Sequence, residues 1–244
     1  MSVLLLQLAG PLQAWGDSSR FTRRETRREP TKSGVVGLLA SALGRSREAD
    51  LSDLAALEFA VRVDQPGTML RDFQTERPLK GDPMPLTHRY YLADAKFLAA
   101  LGGDRAFLEE LDQALRHPCW PLYLGRRSCP PGEPVAKGVH DEHADVRDAL
   151  ACEPWIASPW FKDRHGGDST DELEVVCDAH AGEPAEYRPD YPLSFAAAGR
   201  VYADRPVYRF SVPNPSKERP ATEPAEPGPV PPSAPHDHDP MSFF

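Results

Sequence analysis

Pro30-Thr31-Lys32-Ser33-Gly34-Val35-Val36-Gly37-Leu38-Leu39-Ala40-Ser41-Ala42-Leu43-Gly44 spaces its apolar residues with the period of a helix. Val35, Leu38, Leu39, Ala42 and Leu43 fall at i, i+3, i+4, i+7 and i+8. Thr31 is placed to cap the first turn and Gly44 to close the last one. Upstream, Val3 to Ala9 is a short apolar run ended by Gly10-Pro11, which reads as a buried strand running into a turn. Downstream, Leu57 to Asp64 alternates, with Phe59, Val61 and Val63 on one face and Glu58, Ala60 and Arg62 on the other, the pattern of a half-buried strand.

Further out, residues 65–88 hold Pro66, Gly67, Pro78, Gly81, Pro83 and Pro85. This composition suits a long excursion, hairpin or loop, rather than a core element. Arg89 to Leu98 reads as the next strand. Asp104 to Arg116 reads as a helix capped by Asp104, with Phe107, Leu108, Leu111 and Leu115 on its inner stripe. The order strand, helix, strand, strand, helix opens a split β-α-β-β-α-β unit. The fold class is therefore α+β and ferredoxin-like: two helices cover one face of an antiparallel sheet, and the other face is left open to bind something. After Pro121 glycine and proline punctuate the chain, and Val207 to Val212 looks like the last strand. Residues 1–212 form the domain. Residues 213–244 hold ten of the 27 prolines and almost no apolar side chains before Met241, the composition of a disordered acidic tail.

The 244 residues are 40% apolar and 27% charged, as in globular proteins. No run is long enough to span a membrane, and the opening apolar run lacks the basic flank of a signal peptide, so a cytoplasmic address is expected. Cys119, Cys129, Cys152 and Cys177 are too scattered for a zinc knuckle and read as reduced thiols. The net charge is −9, yet residues 1–137 carry 19 Lys and Arg against 17 Asp and Glu, while 138–244 carry 9 against 20. A polyanion responds to the local field, which can be positive on one face of an acidic molecule.

Three segments carry the cations. Arg20, Arg23, Arg24 and Arg27 lie in a polar run just before the helix whose start, Lys32 and Ser33, offers unpaired N–H groups to an anion. The alternative is a solvated charge run neutralised by Glu25 and Glu29. Tyr123-Leu124-Gly125-Arg126-Arg127-Ser128-Cys129 pairs two arginines with a glycine that permits close backbone approach, or is an ordinary surface turn. The excursion interleaves Arg71, Phe73, Gln74, Arg77, Lys80 and His88, with Arg89 just beyond it as a further RNA-binding candidate, a mixture suited to single-stranded nucleic acid, or is a plain polar loop. His88 and Tyr90 near Lys80 have the groups that metal-free RNA cleavage uses, but no spacing fixes their geometry, so no catalytic residue is assigned. His140-Asp141-Glu142-His143 and His236-Asp237-His238-Asp239 resemble metal ligands in composition only; surface loop and tail are the better readings, and neither metal nor cofactor is expected.

Four blocks in order resemble one family: residues 8–16 (LAGPLQAWG), 30–39 (PTKSGVVGLL), 70–75 (LRDFQT) and 123–130 (YLGRRSCP). Together they are similar to the CasD family, the Cas-five-type subunits of the type I-E CRISPR complex Cascade, within the RAMP superfamily. The resemblance runs from residue 3 to about 160. It implies an RRM-related, ferredoxin-like domain with a protruding thumb at about 65–88. It also implies a non-catalytic subunit that holds the 5′ handle of the crRNA beside a backbone subunit and the large subunit, and so meets target double-stranded DNA only indirectly. Arg71, Phe73, Gln74, Arg126, Arg127 and Ser128 would face the handle, with Lys32 and Ser33 next. A related type I-C branch cleaves precursor RNA, which makes a metal-independent endoribonuclease the alternative.

Overall fold

The computed structural model describes residues 1–17, 23–75, 85–165 and 170–216. The elements in chain order are β1 (Ser2–Ala9), β2 (Leu12–Gln13), β3 (Arg23–Arg24), α1 (Lys32–Ala42), α2 (Ser52–Ala55), β4 (Glu58–Gln65), β5 (Thr68–Gln74), β6 (Thr87–Ala93), β7 (Lys96–Gly103), α3 (Arg105–Arg116), β8 (Ala136–His140), α4 (Val146–Cys152), α5 (Pro159–His165), β9 (Glu172–Asp178), β10 (Glu186–Ser194) and β11 (Val201–Pro213).

The main sheet runs β10-β11-β9-β4-β7-β1-β8, with every pairing antiparallel. Its β4-β7-β1-β8 section, with α1 between β1 and β4 and α3 between β7 and β8, is the ferredoxin-like unit expected from the element order. Both helices start as the sequence predicts. The Thr31 hydroxyl accepts a hydrogen bond from Gly34 N at 3.3 Å, and Asp104 accepts one from Phe107 N at 3.2 Å. Val35, Leu38, Leu39, Leu108, Leu111 and Leu115 pack on one face of the sheet with Leu4, Leu6, Phe59, Val61 and Phe97. Trp15 is fully buried in this core. It lies so close to Gly34 that a Cβ there would stand 2.7 Å from the indole ring, which is why α1 carries a glycine in its first turn.

Three expectations are corrected. The second face of the sheet is not open: Val3, Leu5, Ala60, Leu98 and Ala100 meet Val146, Ala149, Leu150 and Trp155 in a second core. Hence β4 is buried on both faces, and Arg62, which alternation had placed outside, is 0% exposed. Its guanidinium binds both Asp64 carboxylate oxygens at 2.6 and 2.9 Å and the carbonyls of Leu150, Glu153 and Pro154. A buried charge reads as a surface residue until the carbonyls that complete its shell, some 90 positions away, are known. Arg89 to Leu98 is not one strand, because Asp94 at φ 55 breaks it into β6 and β7. Past Pro121, β8 completes the unit, and β9 and β10 widen the sheet beside the expected last strand.

Packing continues just past residue 212. Asn214 is buried, donates from its backbone N to Asp171 O at 2.8 Å, and donates from its side chain to Thr170 O at 3.1 Å. Most of the expected tail, residues 217–244, lies outside the described residues, as does the tip of the excursion at 76–84. Among the described residues no helix is long and apolar enough to cross a membrane.

Candidate nucleic-acid interface

A second, smaller sheet rises where β1 ends and β7 begins. Its centre is β6, which pairs with β5 over its whole length on one edge and with β2 and β3 on the other. Cross-strand partners share a face, so the register sorts the hairpin. One face carries Met69, Arg71 and Phe73 opposite Leu92, Tyr90 and His88; the other carries Leu70, Asp72 and Gln74 opposite Tyr91, Arg89 and Thr87.

On the first face Phe73 is 66% exposed. The Arg71 guanidinium lies against the His88 ring, with nitrogen to nitrogen distances of 3.2 to 3.3 Å. Arg23, from the arm before α1, sits 5.3 Å over the Tyr90 ring and pairs with Glu25 at 2.7 Å. The result is an exposed row of cations and rings: Arg23, Tyr90, Arg71, His88 and Phe73. On the opposite face Gln74 bonds Asp72 at 2.8 Å, and Arg89 keeps a shielded Nε without a hydrogen-bond partner among the described residues.

The Gly-Arg-Arg turn locks arm and hairpin together. Arg126 donates to the carbonyls of Tyr90 at 3.0 Å, Arg24 at 2.8 Å and Glu25 at 3.2 Å, and its guanidinium lies 4.9 Å over the Tyr91 ring. Gly125 makes this possible. Its φ is +85, and a Cβ would fall 1.8 Å from the Ala14 carbonyl oxygen, against which the turn is docked. Backbone bonds from Ala14 N to Leu124 O, from Leu124 N to Cys129 O and from Cys129 N to Arg126 O close the loop. Arg127 and Ser128 project outward, and Tyr123 is half-buried. The three cationic segments of the sequence therefore converge on one region.

Other predicted residues lie elsewhere. Lys32 is 4% exposed, with its Nζ 2.9 Å from Asp178, its backbone N bound to Asp190 and its ammonium 5.3 Å from the Tyr191 ring. Ser33 and Cys129 are also buried. The start of α1 thus finds its negative charge inside the protein, which corrects the picture of Lys32 and Ser33 at the surface. Arg27 pairs with Asp17 at 2.5 Å, and its backbone bridges Trp15. Glu29 does not neutralise the arm, because it points inward to Arg188 at 2.6 Å and Arg209 at 2.5 Å. Arg20, Arg77 and Lys80 lie outside the described residues. The sequence reading missed Met69, Leu70 and Leu86, all exposed apolar side chains of the excursion; the absence of alternation over 68–74 was the available sign. It also missed the stacking roles of Tyr90 and Tyr91.

A family model described as CRISPR-associated protein (Cas_Cas5) matches residues 3–208. The chain belongs to this family. Its match takes in all three converging segments of the Cas_Cas5 domain. The chain is 39% identical over 175 residues to CRISPR system Cascade subunit CasD of Escherichia coli (strain K12), covering 63% of this chain and 78% of that one. Two solved structures are similar in fold and sequence. One, described as a crystal structure of Cas protein, has a TM-score of 0.68 at 40% identity over 87% of this chain and 95% of that one. The other is from a CRISPR RNA-guided surveillance complex, with a TM-score of 0.71 at 31% identity over 88% and 92%. The four sequence blocks thus identified the family correctly.

Proposed function

We propose that the chain is a non-enzymatic RNA-binding subunit of a Cascade-type surveillance complex, in which it holds the 5′ handle of the crRNA. The observation that carries this reading is the convergence at Arg126, where a single guanidinium ties the arm, the hairpin and the Gly-Arg-Arg turn into one surface of arginines and rings. Such a surface suits a short single strand: guanidiniums attract and fork onto phosphates, and exposed rings stack on unpaired bases. Arg23, Arg71, His88, Arg127 and Ser128 make the polar contacts, and Phe73 supplies the stacking platform. Flanking surfaces meet the backbone subunit and the large subunit of the assembly, and target DNA is met only through them.

The test is titration of the full chain, and of its reconstituted complex, with a labelled repeat-derived 5′ handle and a scrambled RNA of equal length. The handle should bind more tightly, with salt-sensitive affinity lost stepwise in Arg71→Ala, Phe73→Ala and Arg127→Ala. Indifference to handle sequence in both chain and complex, or wild-type affinity in all three variants, would sink the reading. Cleavage of repeat RNA in EDTA that disappears with His88→Ala would replace it with an endoribonuclease.

A further inference from the structure

The end of β8, the loop after it and the end of α4 gather donors that the RNA reading does not use. His140 Nδ1 is 2.8 Å from Glu142 Oε1, and His143 Nε2 is 3.3 Å from Glu153 Oε1. One ligand atom from each of these four residues lies within 4.8 Å of the others. Four ligands around a tetrahedral zinc-class ion stand about 3.4 Å apart, as metal bonds of about 2.0–2.2 Å require, so a small inward movement of flexible side chains closes the set.

Three features separate this cluster from an ordinary surface salt bridge. First, among the described residues no lysine or arginine pairs with Glu142, Asp148 or Glu153; the nearby Arg105 is held by Glu109 and Asp141, and Arg147 by Glu183. Second, His143 is 8% exposed, and its other ring nitrogen, Nδ1, faces Asp148 at 3.7 Å, longer than a hydrogen bond but close enough for a small rotation to bring the carboxylate into the orienting role it plays behind metal-binding histidines. Third, the backbone beneath the donors is fixed. His140 pairs with Val3 in the sheet, and the Glu153 carbonyl is held at 2.8 Å by the buried Arg62. The sequence shows the donors without this scaffold.

We propose that His140, Glu142, His143 and Glu153 form a binding site for a divalent cation of the zinc class, with Asp148 as a positioning residue for His143. Two imidazoles and two carboxylates are a borderline donor set, suited to zinc or cobalt over calcium or magnesium. The ion fastens the edge strand β8 to α4, the helix that covers the second face of the sheet.

The experiment uses the full chain stripped with chelator and dialysed, titrated calorimetrically with Zn²⁺ and spectroscopically with Co²⁺. One equivalent should bind, raise the melting temperature, and give Co²⁺ the visible bands of a low-coordinate nitrogen and oxygen site. His140→Ala, at a half-buried position that leaves the core intact, should abolish both the bands and the melting shift. Asp148→Asn keeps an oxygen for the Ala144 amide and should weaken binding by about 10–100-fold, while the metal-free melting temperature falls only slightly through loss of a first-turn negative charge. Because His236 and His238 could also take up metal, His236→Ala with His238→Ala should leave the equivalent in place. Absence of saturable uptake, survival of the bands in His140→Ala, or their loss only in the His236 and His238 variant would each overturn the proposal.

Discussion

Arg126 and Arg127 follow one another in the chain, yet only the first has its guanidinium spread over backbone carbonyls of the arm and hairpin. Their alanine variants should therefore fail differently. Arg127→Ala should leave the melting temperature unchanged, weaken RNA binding uniformly across sequences and lower the salt dependence by about 0.7 of a logarithmic slope, the signature of one lost contact to single-strand phosphate. Arg126→Ala should cost about 1–2 kcal/mol of stability as well, because charged hydrogen bonds to carbonyls are lost. Chemical denaturation beside RNA titration separates the two. At Gly125 the side chain is excluded twice, by φ and by the Ala14 carbonyl. Gly125→Ala should thus lower stability by at least about 1–3 kcal/mol from backbone strain alone and release the turn, seen as faster amide exchange at Cys129. The block around Gly125-Arg126-Arg127 was legible as a loop with close approach. Which arginine faces inward was not, since that depends on Tyr90, Arg24 and Glu25, residues 36 to 102 positions earlier.

Elements were legible where the signal is local. β1, α1 and α3 announce themselves through apolar period and capping residues, and the order of elements gave the ferredoxin-like unit. What escaped was set by distant packing. α4 is seven residues long, too short for a helical stripe to stand out, yet it and Trp155 close the second face and turn β4 into a strand buried on both sides. That layer carries a prediction of its own. Leu150→Ala, at a fully buried position, should destabilise the protein by about 2–5 kcal/mol through lost burial and the cavity left behind, measured as a lower urea midpoint. RNA affinity should hold at concentrations where the variant is folded, because the hairpin stands outside that layer. The hairpin was legible only as an excursion. Its strands carry aromatic and charged residues on both faces, so no alternation marks them as strands, and the break at Asp94 that separates β6 from β7 leaves no mark that residue type alone reveals.

Across the molecule the two halves of the sequence divide the charge, and the fold ties them together through internal ion pairs. Asp178 and Asp190 hold Lys32 and Arg205, and Glu29 holds Arg188 and Arg209. These internal pairs cancel charge against charge and leave the net value of −9 essentially unchanged, so a polyanion partner depends on the local clustering of Arg23, Arg71 and Arg127. The Arg147 to Glu183 pair, with contacts at 2.7 and 2.8 Å, shows how acid should act. The Arg147 side chain, followed by the His180 amide, pulls the Glu183 carboxyl down to about 2. Its folded value therefore lies below the unfolded value of about 4.3, so the stabilisation is complete above that unfolded value and fades as pH falls toward 2. Thermal melts between pH 6 and 3 should show a steeper decline for the wild type than for Glu183→Gln. Finally, the anchoring of Asn214 has a practical side. β9 runs antiparallel to β4, with Val175 opposite Arg62, so Asp171 and the Asn214 it holds lie at the end of the sheet where Gln65 leads into the hairpin, whereas Ser2 pairs with Gly103 at the opposite end. A fluorophore, affinity handle or immobilisation linker fused after residue 214 would begin its path on the side of the proposed RNA-binding surface, while one fused ahead of Ser2 starts a full strand's length away and is the sounder choice for single-molecule work.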